Sequence, residues 1–142
     1  MIKKSASAHW QGNLNAGSGT ITTPSGVLKE TPYSFRDRFE EGVGTNPEEL
    51  IAAAHAGCFT MALSLFLGNA GYTPESLDTR AEVTLDQVKS APAVTAIHLT
   101  LKAKVPGITQ EKFEELAVFA KANCPISKLL NAPITLESVL VS

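Results

Sequence analysis

The chain holds two cysteines and three histidines, and the thiols are its most versatile groups. An ionised cysteine is a strong nucleophile, a metal ligand and a redox centre. Cys58 lies in the run His55-Ala56-Gly57-Cys58-Phe59. On a helix its neighbours at steps of three, four and seven are Ile51, Ala54, His55, Met61, Ala62 and Leu65. Gly57 beside it allows another backbone or a substrate to approach. Such apolar company suits an inert core thiol as well as a reactive one, because free cysteine often behaves as a small buried hydrophobe.

Cys124 shifts that balance. Pro125 disfavours helix at Cys124 and suits the first position of a new one, so Cys124 is the expected N-cap of a short helix over 125–130. There its sulfur faces unpaired backbone N–H groups, which favour the thiolate. The two cysteines stand 66 residues apart and form no Cys-x-x-Cys motif. If the fold joins them they are an attacking and a resolving thiol; otherwise they are two unrelated thiols.

Other chemistry is weaker on these residues. His55 and Cys58 at i, i+3 could share a metal with Cys124, but structural zinc wants four ligands, usually in close-set pairs. His9 and His98 have no ligand-spaced neighbours, so no metal site is expected. A Cys–His hydrolase built on His55 lacks an evident orienting group. Among the charged residues, Arg36, Arg38, Glu48 and Glu49 stand out, although a solvated surface explains each. Glu48 and Glu49 suit the first turn of a helix on dipole grounds, and Glu49 is accounted for by capping. Glu48 is free to hold an arginine. It lies about 15 Å along the axis from Cys58 and cannot reach that thiol within one helix.

The elements that must position these groups are legible. Segments 3–12 and 18–24 flank Asn13-Leu14-Asn15-Ala16-Gly17 and predict a hairpin. Segment 32–40 alternates, with Tyr33, Phe35 and Phe39 on one face and Ser34, Arg36, Arg38 and Glu40 on the other, which predicts a strand. Asn46 as N-cap, Pro47 at the first position and Glu49 three residues after the cap open a long helix over 47–68, which Gly68 and Gly71 end. Strands follow at 78–88 and 93–105, half-buried and antiparallel by their alternation. A helix over 110–123 starts at Thr109, with Ile108 placed to staple against Phe113. A last strand spans 133–141. The expected fold is α+β, with antiparallel sheets packed on a long, central, buried helix.

Composition limits the partners. The 142 residues are 44% hydrophobic and 18% charged, which excludes disorder. A net charge of −2 without charge blocks gives no footprint for nucleic acid or an anionic membrane. Leu50 to Leu67 has the length of a membrane span, yet it opens with a cap, contains His55, Thr60 and Ser64, and lacks flanking anchors. A core helix buried on all sides is the better reading. A helix without a polar face is hard to bury in one small chain, so a homodimer is expected. Met1-Ile2-Lys3-Lys4 continues into residues too polar for a signal peptide, and two cysteines build no disulfide scaffold, so a reducing, cytoplasmic address is expected.

The run Gly44-Thr45-Asn46-Pro47-Glu48-Glu49-Leu50-Ile51-Ala52-Ala53-Ala54-His55-Ala56-Gly57-Cys58-Phe59 resembles the signature of the OsmC/Ohr family of thiol-dependent peroxidases. Cys124-Pro125-Ile126-Ser127 matches its second cysteine motif, and Ala8-His9-Trp10-Gln11-Gly12 and Ser25-Gly26-Val27-Leu28 are similar to one branch of it. The likeness covers essentially the whole chain as a single domain, 1–142. It implies an intertwined homodimer with two active sites at the interface, each reducing organic hydroperoxides to alcohols in osmotic and oxidative stress. By the resemblance, Cys58 is the peroxidatic thiol and Cys124 the resolving thiol, joined as a disulfide after a Cys58 sulfenic acid. An arginine activates Cys58, matched by Arg38 with Arg36 on the same strand face, and Glu48 holds that arginine. No metal or bound cofactor is implied. The reductant is an external dithiol, of lipoyl type or on a lipoylated protein. Phe59, Met61 and Leu65 near Cys58 lead to an expectation of bulky organic peroxides over hydrogen peroxide. A stoichiometric redox-sensing or small-molecule-binding dimer using the same thiols is the alternative.

Overall fold

A computed structural model describes residues 1–39 and 43–142, which form two compact units, Met1–Leu50 and Ile51–Ser142.

The first unit is a three-stranded antiparallel sheet in the order β1 (Ser7–Gln11), β2 (Ser18–Thr22), β3 (Thr31–Tyr33). The β1–β2 turn is held by Asn13, whose Oδ1 accepts from the Ala16 N–H and whose carbonyl accepts from Gly17, each at 2.8 Å. Trp10 pairs with Gly19 and Gly19 with Tyr33, so the two rings meet across a residue without a side chain, centroids 5.5 Å apart.

The strand predicted over 32–40 stops at Tyr33 and gives way to a single 3-10 turn, Arg36–Arg38. Ser34 Oγ accepts from the Asp37 N–H at 3.1 Å, the local bond by which serine competes with extended backbone. Phe35 and Phe39 flank that turn as its two caps, and their rings pack edge to face at 5.0 Å. Glu40, at the end of the predicted strand, lies outside the described residues.

Helix α1 (Pro47–Asn69) begins as its punctuation predicts. Asn46 Oδ1 accepts from the Glu49 N–H at 2.8 Å, while its Nδ2 donates to the Asp37 carbonyl at 2.8 Å. Glu49 does not close the box onto Asn46; its carboxylate accepts from the Thr45 hydroxyl at 2.8 Å. Gly44, just upstream, is required by a close approach, since a Cβ there would collide with the Pro32 carbonyl oxygen. At the other end Gly71 takes φ +90° and the Tyr72 N–H donates to the Leu67 carbonyl at 2.9 Å, the reversal that glycine permits.

The second unit continues with β4 (Ser76–Val88), β5 (Ala91–Lys104), α2 (Gln110–Asn123), α3 (Pro125–Leu129) and β6 (Ile134–Val141). Strands β4 and β5 form an antiparallel hairpin through Lys89 and Ser90, both in the left-handed region. The expectation of antiparallel sheets fails at β6, which pairs in parallel with β5. Helices α2 and α3 are the crossover that brings the chain back in the same direction, which a parallel pair requires. Ile97, Leu99, Leu101 and Ala103 of β5 are buried with Phe113, Ala117 and Ala120 of α2 in one core, to which Phe59, Leu63 and Leu67 of α1 belong.

Within the chain α1 is therefore buried on one stripe and not on all sides. His55, Phe59, Leu63 and Leu67 recur every four residues on the covered side, whereas Met61 is 73% and Leu65 58% exposed.

Candidate active site

In the first unit, Arg38 is the arginine that is held. Its Nε donates to Glu48 Oε1 at 3.0 Å and Oε2 at 3.2 Å, and its Nη2 donates to Oε1 at 2.6 Å. This forked geometry fixes the guanidinium plane, not merely its charge. The side chains are 29% and 11% exposed, and the hydrogen bonds to Glu48 raise the Arg38 pKa against the opposing effect of burial. The N-terminal turn of α1 presents Glu48, and the Asn46 bond to the Asp37 carbonyl ties that turn to the segment carrying Arg38. Arg36, on the same turn, makes no such ion pair among the described residues and lies beside Asn15, Phe35 and Phe39.

Arg38 also lines a cavity of about 340 Å³ with Trp10, Leu14, Tyr33, Phe35 and Pro47. An apolar, aromatic recess with one fixed cation suits a ligand that has a hydrocarbon body and a polar end. Alternation placed Tyr33 and Phe35 on one face, but nothing in the sequence assigned them or Trp10 to a recess beside Arg38. Near Cys58, Phe59 is turned into the core of the chain, and Met61 and Leu65 are exposed in it.

In the second unit, Cys58 and Cys124 meet. Cys58 is half-buried on α1 and Cys124 is fully buried at the junction of α2 and α3; both are free thiols. Cys124 caps α3, its sulfur accepting from the Ser127 N–H at 3.3 Å. Burial pushes the Cys58 pKa up, the Ile126 N–H opposes this by hydrogen-bonding the sulfur, and the adjoining Cys124 adds to the rise. The stretch between the cysteines holds the β4–β5 hairpin and α2.

His55 is fully buried but turns away from the roles weighed for it. Its Nε2 is 2.7 Å from Ser127 Oγ, and among the described residues Nδ1 has no hydrogen-bond partner. Burial lowers its pKa, so the ring is neutral. Among the described residues no three His, Cys, Asp or Glu side chains are grouped to hold a metal. Ser127 was not singled out from the sequence; 72 residues separate it from His55, and only the fold joins them.

Residues 40–139 match the family model described as OsmC-like protein. The chain belongs to the OsmC-like family. It is 53% identical over 141 residues to Peroxiredoxin OsmC of Escherichia coli K12, covering 99% of each chain. It is 32% identical over 122 residues to the organic hydroperoxide resistance protein OhrB of Bacillus subtilis 168, covering 84% of this chain and 88% of that one. Among solved OsmC-like structures, a protein of unknown function from Vibrio cholerae shares the fold with a TM-score of 0.78 at 19% identity, over 98% of this chain and all of that one. An organic hydroperoxide resistance protein OsmC from Legionella pneumophila superposes with a TM-score of 0.71 at 26% identity, over 100% and 98%.

Proposed function

We propose that this OsmC-like protein is a cysteine-based peroxidase that reduces organic hydroperoxides to alcohols. The observation that carries the reading is the meeting of Cys58 with Cys124, in a chain 53% identical to a peroxiredoxin. The Cys58 thiolate attacks the distal peroxide oxygen, the O–O bond breaks, and the alkoxide leaves with a proton as the alcohol. Cys58 becomes a sulfenic acid. Cys124 condenses with it, water departs, and an external dithiol of lipoyl type reduces the disulfide.

Arg38 has two tasks in this reading. The neighbours of Cys58 in the second unit raise its pKa on balance, so a cation is needed to favour the thiolate. For an ordinary thiol, roughly 3% ionised at pH 7, full ionisation is worth about thirtyfold, near 2 kcal/mol, and the raised Cys58 pKa makes it worth more. Stabilising charge on the departing oxygen is a second opportunity for an oriented cation. The aromatic recess beside Arg38 supports a preference for bulky organic peroxides over hydrogen peroxide.

The working form in this reading is a homodimer. The uncovered side of α1 presents Ala53, Ala54, Gly57, Met61, Ser64 and Leu65, without a charge and with room beside Gly57, which suits a second copy. Free thiols and a dithiol-driven cycle fit a reducing, cytoplasmic compartment.

Steady-state consumption of cumene hydroperoxide with a dithiol tests the proposal. We expect many turnovers in the wild type, none in Cys58→Ser, and a greatly slowed cycle in Cys124→Ser. A wild type that consumes one equivalent per site and stops, despite excess dithiol, is a sensor and not an enzyme. Activity of Cys58→Ser equal to wild type removes the thiol mechanism altogether.

A further inference from the structure

The peroxidase reading leaves a buried group unused. His55 is fully enclosed, and its polar partner among the described residues is Ser127, whose Oγ lies 2.7 Å from His55 Nε2 and 3.2 Å from Cys124 Sγ. The Ser127 N–H also donates to Cys124 Sγ, so the serine holds the sulfur by two atoms. The three side chains form a continuous path with two consistent orientations. With a thiol, Cys124 donates to Ser127 Oγ and Ser127 donates to neutral Nε2. With a thiolate, both bonds reverse and His55 carries the proton, without movement of any heavy atom.

We propose that Ser127 and His55 are a proton relay dedicated to Cys124 and therefore to the disulfide-forming step. This rests on the reading of Cys58 and Cys124 as a peroxidatic and resolving pair. Ser127 touches the reacting sulfur and is a catalytic residue; His55 acts through it as a positioning residue and proton acceptor. As the Cys124 proton passes to Ser127, the serine's own proton passes to Nε2. Cys124 Sγ then bonds Cys58 Sγ, the S–O bond of the sulfenic acid breaks, and the departing hydroxide takes up a solvent proton and leaves as water. The Cys124 sulfur is oxidised and the Cys58 sulfur reduced to the disulfide level. His55 returns its proton to solvent on reset, so protons balance over the step.

The groups that titrate near this path are few. Cys58 and His55 face it from α1. Lys121 of α2 directs its Nζ towards the Ile134 carbonyl at 3.5 Å, and Lys128 of α3 is exposed. Cys124 belongs to the buried apolar core with residues of β5 and α2. Because an ordinary thiol is about 3% ionised at pH 7, a base that removes its proton within the encounter accelerates attack by at most about thirtyfold.

The test is a single turnover of the full chain with one equivalent of cumene hydroperoxide and no dithiol. Cys58 sulfenic acid is followed with a dimedone-type trap and the disulfide by mass. In Ser127→Ala and His55→Gln we expect Cys58 oxidation within twofold of wild type and disulfide formation slowed about ten- to thirtyfold at pH 7. Ser127→Thr, which keeps the hydroxyl, recovers most of the rate, and the Ser127→Ala deficit shrinks as pH rises towards 9. Disulfide formation at the wild-type rate in Ser127→Ala overturns the relay, whether or not His55→Gln folds. A deficit equal at every pH, or Ser127→Thr as slow as Ser127→Ala, assigns the serine to packing and overturns it too. Absence of any sulfenic acid in the wild type is a different failure, that of the peroxidase reading itself.

Discussion

Glu48→Gln separates the fixing of Arg38 from its charge. The substitution keeps the size of the side chain and one acceptor oxygen but removes the anion that receives three contacts of 2.6–3.2 Å. Hydrogen bonds to charged groups contribute about 1.5–3 kcal/mol. One of them survives in the amide, and water reaches a guanidinium that is 29% exposed, so we expect a loss nearer 1–2 kcal/mol. For a chain of this length that is a fall of about 3–6 °C in the thermal midpoint. With Arg38 free to turn, kcat/KM for cumene hydroperoxide should drop about ten- to hundredfold, or about 1.4–2.7 kcal/mol of transition-state stabilisation. The decisive comparison is a cycle of Glu48→Gln, Arg38→Met and the double variant, with urea midpoints and kcat/KM measured on each. If Glu48 serves activity only through Arg38, the double variant is no less active than Arg38→Met. Additive activity losses would refute this, since Glu48 would then act on the chemistry by a route that does not pass through the guanidinium.

Two further outcomes follow from the geometry. The raised pKa of Cys58 makes the thiol the dominant form at neutral pH in the absence of a cation, so oxidation of Arg38→Met by peroxide should climb about tenfold per pH unit from pH 7 until the thiol ionises, while the wild type changes less; parallel stopped-flow profiles with the same slope in both proteins would remove Arg38 from activation. Gly57→Ala places a methyl where nothing lies within 4 Å, so in the isolated chain it should stabilise α1 by about 0.5–1 kcal/mol; a lowered thermal midpoint together with a smaller species in sedimentation would instead locate a tight helix contact at that residue.

Local chemistry was legible in the sequence and long-range pairing was not. The boundaries of α2 coincide with prediction because Thr109 and the Cys124-Pro125 pair act within a turn of themselves; the Thr109 hydroxyl accepts from the Lys112 N–H at 3.1 Å. Alternation identified the buried face of β5 for the same reason. The direction of β6 was invisible, since a half-buried strand reads alike whether its neighbour runs with it or against it. Phe35 and Phe39 show a related ambiguity, because alternation places both on one face of a strand, and their rings also meet when the two residues cap a 3-10 turn. At the site, Glu48 was noticed because capping left it unexplained, whereas Ser127 resembled any small helix residue until the fold set it between Cys124 and His55.

The parallel pairing of β5 with β6 also sets an order of assembly. The β4–β5 hairpin closes through neighbouring residues, but the last ladder forms only after a loop containing all of α2 and α3 has closed, and non-local pairings of this kind are slow. Cys124 lies inside that late loop. A chain still being synthesised therefore carries Cys58 before its counterpart has a fixed place. In the proposed cycle, peroxide that reaches the unfinished chain meets a solitary thiol, for which oxidation beyond the sulfenic acid competes with no internal disulfide.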